Sequence, residues 1–468
     1  MSASMKMSPA MSVRRSMQQN SSSAGRAFKV RQASCHRAIP RKFTTVAQAV
    51  PNSNSPGSRN NPKKDGVSTK AMVADAPVAP AGRQRDGRLR MLIDNQWYDV
   101  TGWSKAHPSG AKFIELMDGR DATDAFYALH SYGPNGSDTA LKRLQKLPKC
   151  DPPDDWVRCD ATTAAECSSF REFRQQLEKA GWFKRSFLQE ASVFMQTVGL
   201  FVVGTYLAWN AHPWLATLVL GFGGQQAGWL GHDYIHGRGK WCGFARGFAG
   251  LFNGHSSYWW SQKHNMHHVF TNEYGKDEDI QQEPFYYLRP PSEVGSTDSP
   301  LRKYQHIYGY PVYAITFLYW RFDSLLTLAK TRDRKEIGLL ALNYLWLCSL
   351  GPAVAIGHVA LAGFLVGSLV SATHQSEEMM DEQGEFMQVQ FKSTRDALVT
   401  NPFVKWCWGG MDTQLEHHLF PTMPRYKLHK LRPLVQAFAA ANGLDFKMDP
   451  GAKIIQDNWE TLRKNATA

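Results

Sequence analysis

Residues 1–64 contain no Asp or Glu, yet they hold twelve Lys and Arg. That missing acidity accounts for most of the formal charge of +13. Beyond it stand 42 basic residues against 41 acidic ones. A near-neutral body gives no support to nucleic-acid binding, which needs a basic face on the folded part. The opening also lacks an apolar core segment, which excludes a secretory signal. Its Ser- and Arg-rich, acid-free composition predicts an organelle transit peptide over residues 1–50, with a disordered basic tail as the alternative. The Ser and Ala content favours a plastid over a mitochondrion. Residues 51–88, rich in Pro, Ala, Gly, Ser and Asn and without periodicity, read as a disordered linker.

Other absences narrow the chemistry. Seven cysteines form no C-x-x-C pair, so neither a zinc ribbon nor a disulfide framework is expected. No G-x-G-x-x-G stands between a strand and a helix. No nucleotide-binding turn of that kind is therefore expected in this chain.

Charge is missing again from three long stretches. Residues 192–209 and 211–231 carry none, and 337–372 carry none around Gly351-Pro352. A span needs ~20 apolar residues, so these read as two hairpins, four transmembrane helices in all. Both hairpin tips lack Lys and Arg, while the flanks carry them. The bias for positive charge inside places the flanks in the cytosol or stroma. Residues 310–330 have Arg321 and Asp323 near their middle and read as an interfacial amphipathic helix. Ahead of the membrane part, residues 89–150 read as a small α+β unit, with a hairpin signal at Asp94-Asn95. Residues 151–190 form a connector with an amphipathic helix at roughly 166–183. Residues 191–450 make an all-α membrane domain with a helical cap on the basic side, and 451–468 a C-terminal tail.

Sixteen histidines are present, and most of them cluster. His232 and His236 stand at i, i+4. His264, His267 and His268 stand at i, i+3, i+4, and Gln414, His417 and His418 repeat that spacing. On a helix such positions share one face, so each cluster aims its side chains at one point. His374 directly follows the last apolar stretch. Imidazole suits iron, zinc and copper. A structural zinc site closes with four ligands, so eight histidines point to two metals. Buried, hydrogen-bonded histidines are the plainer alternative. Asp233, Asp277 and Asp279 are weaker candidates to orient ligands, since metal-bound histidines donate their other N–H to carboxylates.

The set H-x3-H, H-x2-H-H and Q-x2-H-H, with "WWSQKHNMHHVFTN" (259–272) and "GGMDTQLEHHLFPTMPR" (409–425), resembles the membrane-bound fatty acyl desaturases. Its glutamine resembles that of their front-end branch, which inserts a double bond between an existing one and the carboxyl end. The resemblance implies a non-haem di-iron centre held by His232, His236, His264, His267, His268, His374, His417 and His418. Gln414 is implied as a catalytic-site residue. "HPSG" (107–110) and His130 resemble cytochrome b5, with Ser109 in place of the usual first glycine. This implies haem b between His107 and His130. Bis-histidine ligation leaves no open position and suits electron transfer.

The implied fold is a cytochrome b5-like α+β domain fused to an all-α membrane desaturase domain. The implied activity is oxygen-dependent desaturation of polyunsaturated acyl chains on membrane glycerolipids, at Δ4 of C16 chains on plastid galactolipids by likeness to green-algal members. Expected partners are the acyl lipid, O2 and a ferredoxin-type donor or NAD(P)H-cytochrome b5 reductase. The expected location is the chloroplast envelope or thylakoid. Alternatives are a Δ8 long-chain-base desaturase of sphingolipids at the endoplasmic reticulum, a lipid hydroxylase, or a non-catalytic membrane haem carrier.

Overall fold

Asp94 and Asn95 both take positive φ, 52° and 60°, a two-residue turn that twists its flanking strands correctly. Strands β1 (Arg90–Ile93) and β2 (Gln96–Asp99) pair antiparallel around it, Ile93 opposite Gln96. The hairpin expected at this dipeptide is therefore present. The protein is described by a computed structural model over residues 86–130, 139–157, 159–381 and 384–468. The segment 1–50, expected as a transit peptide, and nearly all of 51–88, expected as a linker, lie outside the described residues.

Short helices α1 (Thr101–Ser104), α2 (Ala111–Leu116), α3 (Thr123–Leu129) and α4 (Thr139–Leu144) complete the small unit. Helix α5 (Ala161–Lys179) follows. It begins earlier than its apolar period implied, because the Asp160 side chain accepts from the Thr162 and Thr163 amides. This is an N-cap that satisfies two otherwise orphaned donors.

Helices α6 (Phe187–Trp209) and α7 (Pro213–His236) form the first apolar hairpin, and α12 (Arg334–Ser349) and α13 (Pro352–Ala372) the second. Each second helix has proline in its first turn, where the missing N–H costs nothing. Among the described residues, α6 and α13 are long and apolar enough to cross a membrane. Helix α7 packs between them along a glycine seam. A Cβ on Gly221 would stand 2.4 Å from Leu361, and one on Gly224 2.7 Å from Ala362. Small residues thus set how closely these helices approach.

Helices α8 (Gly239–Asn253) and α9 (Ser257–Val269) extend from the C-terminal end of α7, α10 (Pro291–Val294) is a single turn, and α11 (Gln305–Thr331) runs beside α13. The charges inside α11 have partners within the protein. Arg321 donates to Asn343 Oδ1 at 2.8 Å, and Asp323 accepts from Trp259 Nε1 at 2.7 Å. Its other face leaves Ile315, Phe322 and Leu326 exposed.

The cap comprises α14 (Phe386–Ser393), β3 (Asp396–Leu398), α15 (Pro402–Trp408), α16 (Gln414–Leu419), α17 (Leu428–Asn442), β4 (Met448–Pro450) and α18 (Gly451–Asn465), with β3 and β4 parallel. The segment 451–468, expected as a tail, is instead docked. Ile454, Asn458 and Leu462 recur every four residues and are buried, and Asn458 donates to Gln375 Oε1 at 3.1 Å. A single apolar cluster runs from Ile93 and Phe113 of the small unit, through Phe170 and Phe173 of α5, to Phe270, Phe420 and Phe438. The small unit is thus packed onto the cap and the histidine-bearing helices as well as joined to them by chain.

Candidate metal centre

The local folding of each histidine motif explains its aim. His232 and His236 close the last turns of α7, and His264, His267 and His268 lie on α9. Gly409 and Gly410, at φ 58° and 94°, turn the chain from α15 toward the six-residue α16. That helix carries Gln414, His417 and His418 on one face. The Asp396 side chain accepts from the Leu415 amide at 3.0 Å and from Arg432 Nε at 2.8 Å, which anchors the start of α16. Burial and the neighbouring Asp396 carboxylate push Glu416 well above the usual carboxyl range, so it is buried neutral behind the ligand face.

All eight expected ligands come together in two groups. His232, His236, His264, His268 and His417 form one, and His267, His374 and His418 the other, each with ligand atoms within 4.8 Å of one another. Four rings are oriented through Nδ1. His236 is 3.0 Å from Asn265 Oδ1, His267 2.8 Å from Asp277 Oδ2, His374 3.0 Å from the Ser393 carbonyl, and His418 2.9 Å from Gln390 Oε1. Acceptors at Nδ1 fix the proton there and leave Nε2 with its lone pair free.

Two of those nitrogens meet no donor. His236 Nε2 and His418 Nε2 are buried without a hydrogen-bond partner. His268 Nε2 lies 3.2 Å from His264 Nε2 and 3.1 Å from His417 Nε2. Two nitrogens ~2.1 Å from one metal and 90–109° apart would be separated by ~3.0–3.4 Å. The spacing in the first group therefore fits one metal, and the second group brings three ligand atoms within 4.8 Å of one another, with His418 Nε2 buried and unpartnered. Burial, and then the neighbouring imidazoles, push His268, His417 and His418 well below the ordinary histidine range. Burial takes His374 down to about 3. These rings stay neutral, as metal ligation requires. His267 goes the other way, because the Asp277 carboxylate outweighs the effect of burial.

Gln414 is placed with the second group. Its amide Nε2 is 2.7 Å from His374 Nε2, and its Oε1 is buried without a partner. Of the three candidate carboxylates, Asp277 holds His267. Asp279 is 3.8 Å from the same ring and 2.9 Å from Lys263. Asp233 faces elsewhere and pairs with Arg185 at 3.0 Å. Asn265 and Gln390 escaped sequence reasoning. Asn265 sits inside the second motif and could have been noticed there, whereas nothing around Gln390 marks it.

One cavity touches both groups. His232, His264, His267, His374 and Gln414 line it together with Trp229, Trp260, Phe317, Trp320, Val366 and Val370, and Lys263, Asp279 and Gln282 add polar atoms. His255 also lines it and is 2% exposed. It is part of the cavity wall. His358, outside both groups, is 3.0 Å from the Val354 carbonyl through Nδ1 and packs within its helix.

His107 and His130 face each other with ring centroids 6.2 Å apart. Two metal–nitrogen bonds of ~2.0 Å, with each ring centre ~1.2 Å beyond its nitrogen, span ~6.4 Å. The pair therefore fits one metal ion between its rings. His130 Nδ1 donates to the Phe126 carbonyl at 2.9 Å, and burial, then the Arg238 cation, take it to about 3. Ser109 is unstrained, because the positive φ of this turn, 88°, falls on Gly110. Arg238 donates from Nε to the Leu129 carbonyl at 2.6 Å. Burial, and then Arg246, lower it to about 10, so it remains charged at neutral pH.

Comparison with known proteins agrees with this geometry. A family profile described as "Fatty acid desaturase" matches residues 208–449, just over half of the chain. One described as "Cytochrome b5-like Heme/Steroid binding domain" matches residues 81–147. The chain is 29% identical over 401 residues to an acyl-lipid 8-desaturase of Rebecca salina, covering 80% of this chain and 91% of that one. It is 29% identical to an acyl-lipid (9-3)-desaturase of Physcomitrium patens, covering 76% and 71%. It is 28% identical to the Delta(5) fatty acid desaturase fat-4 of Caenorhabditis elegans, covering 76% and 91%.

Proposed function

The chain belongs to the fatty acid desaturase family, and from that premise we propose that it is a front-end acyl-lipid desaturase fed through its own haem module. It is a membrane-associated, oxygen-dependent oxidoreductase that uses two non-haem irons and haem b. Its partners are a lipid acyl chain, O2 and an electron donor. The observation that carries the reading is an apolar cavity walled by both histidine groups.

When bound, the irons supply the oxidation that removes two hydrogens from adjacent methylenes, and O2 with two electrons and two protons leaves as two waters. The protein does the rest. His232, His236, His264, His268 and His417 hold one iron, and His267, His374 and His418 the other, with Gln414 beside the second. His107 and His130 hold the haem. Trp229, Trp260, Phe317 and Trp320 confine the acyl chain and exclude water. One C–C bond is thereby held within reach, and such positioning lowers the barrier without new chemistry.

Relatives named for the 8 and Delta(5) positions support insertion toward the carboxyl end. Within that class the proposed product is a Δ4 bond in C16 chains of plastid galactolipids. This rests on the acid-free leader and the likeness to green-algal members. The leader over 1–50 would direct import to the envelope or thylakoid. The linker would end near 88, the haem domain near 150 and the connector near 190. Helices α6, α7, α12 and α13 would make four spans, α11 would lie at the interface, and the cap would face the stroma, where ferredoxin or a cytochrome b5 reductase would reach it.

The test is double-bond position by mass spectrometry of membrane-lipid fatty acids, with the gene silenced and overexpressed. A bond near the carboxyl end that follows expression is expected. Hydroxylated lipids or altered long-chain bases, with no acyl double bond changed, would overturn the reading.

A further inference from the structure

Between the haem pair and the first histidine motif lies a cation whose neighbours do not neutralise it. Arg238 follows His236 by two residues. Its guanidinium crosses to the small unit and donates to the carbonyl of Leu129, the residue before His130. Its other acceptors are the Ile235 and Gly237 carbonyls at 3.5 and 3.3 Å. Among the described residues no carboxylate pairs with it. The rest of the contact is of the usual kind. Phe113 meets Phe270 edge-on at 6.3 Å between centroids, and exposed Lys112 lies 3.4 Å from Glu278. A half-buried charge without a counter-ion is costly to keep, and packing alone does not call for one.

We propose that Arg238 is the positioning residue of the haem–iron contact. Its guanidinium seats the haem module on the histidine-bearing half through Leu129, and its charge raises the potential of the seated haem. This rests on the haem assignment made above. Reducing a bis-histidine ferric haem removes one unit of positive charge, so a nearby cation favours the ferrous form. The same cation stands two residues from a ligand of the other centre. It therefore favours the reduced state at both ends, and transfer between them is not opposed. Arginine suits this place because its fork can serve several carbonyls at once and it never loses its charge at physiological pH.

The experiment is a redox titration of the full-length, haem- and iron-loaded protein in detergent, followed at the haem absorbance. Arg238→Gln is expected to lower the midpoint, shifting the ferrous-to-ferric ratio at fixed potential by on the order of tenfold, or 59 mV for one electron. Arg238→Lys should stay near the parent, and Lys112→Gln should not move. Arg238→Met, which keeps an apolar stem, replaces Arg238→Gln if that variant does not load haem, and the same fall is expected. Loading by the lysine variant but by neither neutral one also counts for the charge. Equal behaviour of all three Arg238 variants overturns the proposal. A parent chain that binds no haem refutes the haem assignment itself, before Arg238 is at issue.

Discussion

Asp277→Asn should loosen one iron and leave the other. Asp277 Oδ2 is 2.8 Å from His267 Nδ1 and also accepts the Asn272 amide at 2.9 Å, so the carboxylate is fixed and the ring is fixed by it. Of the two histidine groups, that of His267, His374 and His418 depends on this ring. Losing an outer carboxylate of this type costs ~10–100-fold in metal affinity, about 1.4–2.7 kcal/mol. The assay is iron content per chain after timed exposure to a chelator. Two irons should fall toward one in Asp277→Asn, well before the parent loses any. Asp279 lies farther from the ring and is engaged by Lys263, so Asp279→Asn should lose less. Asp233 touches no ligand, and Asp233→Asn should retain iron like the parent. Equal retention in Asp277→Asn and the parent would refute the assignment of Asp277 as the group that orients His267.

Stability of the iron-depleted chain should fall with acid. His264, His268, His417 and His418 are held well below the ordinary histidine range by burial and then by neighbouring imidazoles. The unfolded chain therefore binds more protons, and stability present above pH ~6.5 is lost as pH falls below it. Thermal unfolding of the apo chain in detergent from pH 8 to ~5 checks the sign. Gly224→Leu should cost ~1–3 kcal/mol through overpacking, read as a lowered melting temperature, since even a Cβ would stand 2.7 Å from Ala362. Gln414→Ile should abolish desaturation at unchanged protein level, and unchanged product would remove Gln414 from the site. His130→Ala should lose the low-spin haem absorbance while retaining iron.

The histidine motifs were legible because their spacing is local. His264, His267 and His268 share a face of α9 by helical geometry alone. The Asp94-Asn95 turn and the breaks at Gly351-Pro352 and at Trp209–Pro213 were legible for the same reason. The sorting of eight histidines into five and three was not, since His267 and His268 are adjacent in the chain yet join different groups. Nor was Gln390, whose amide meets His418 only after the cap has folded. Segment 451–468 was misread because its buried face alternates Ile454, Asn458 and Leu462, and the asparagine hides the apolar period. Arg321 and Asp323 marked α11 as polar, while their partners Asn343 and Trp259 lie on other helices.

The apolar cluster that joins the haem unit to the cap has a consequence for synthesis. Ile93 and Phe113 leave the ribosome first, but Phe420 and Phe438, in the same cluster, are made more than 300 residues later. Between them come the helices that must enter the lipid. The cluster around the haem unit is therefore closed in stages, by Phe170 and Phe270 first and by the cap only when the last fifth of the chain exists. The oxidising centre, which needs His417 and His418, is completed only then, so a chain stopped before the cap would hold its electron source but lack the centre it feeds.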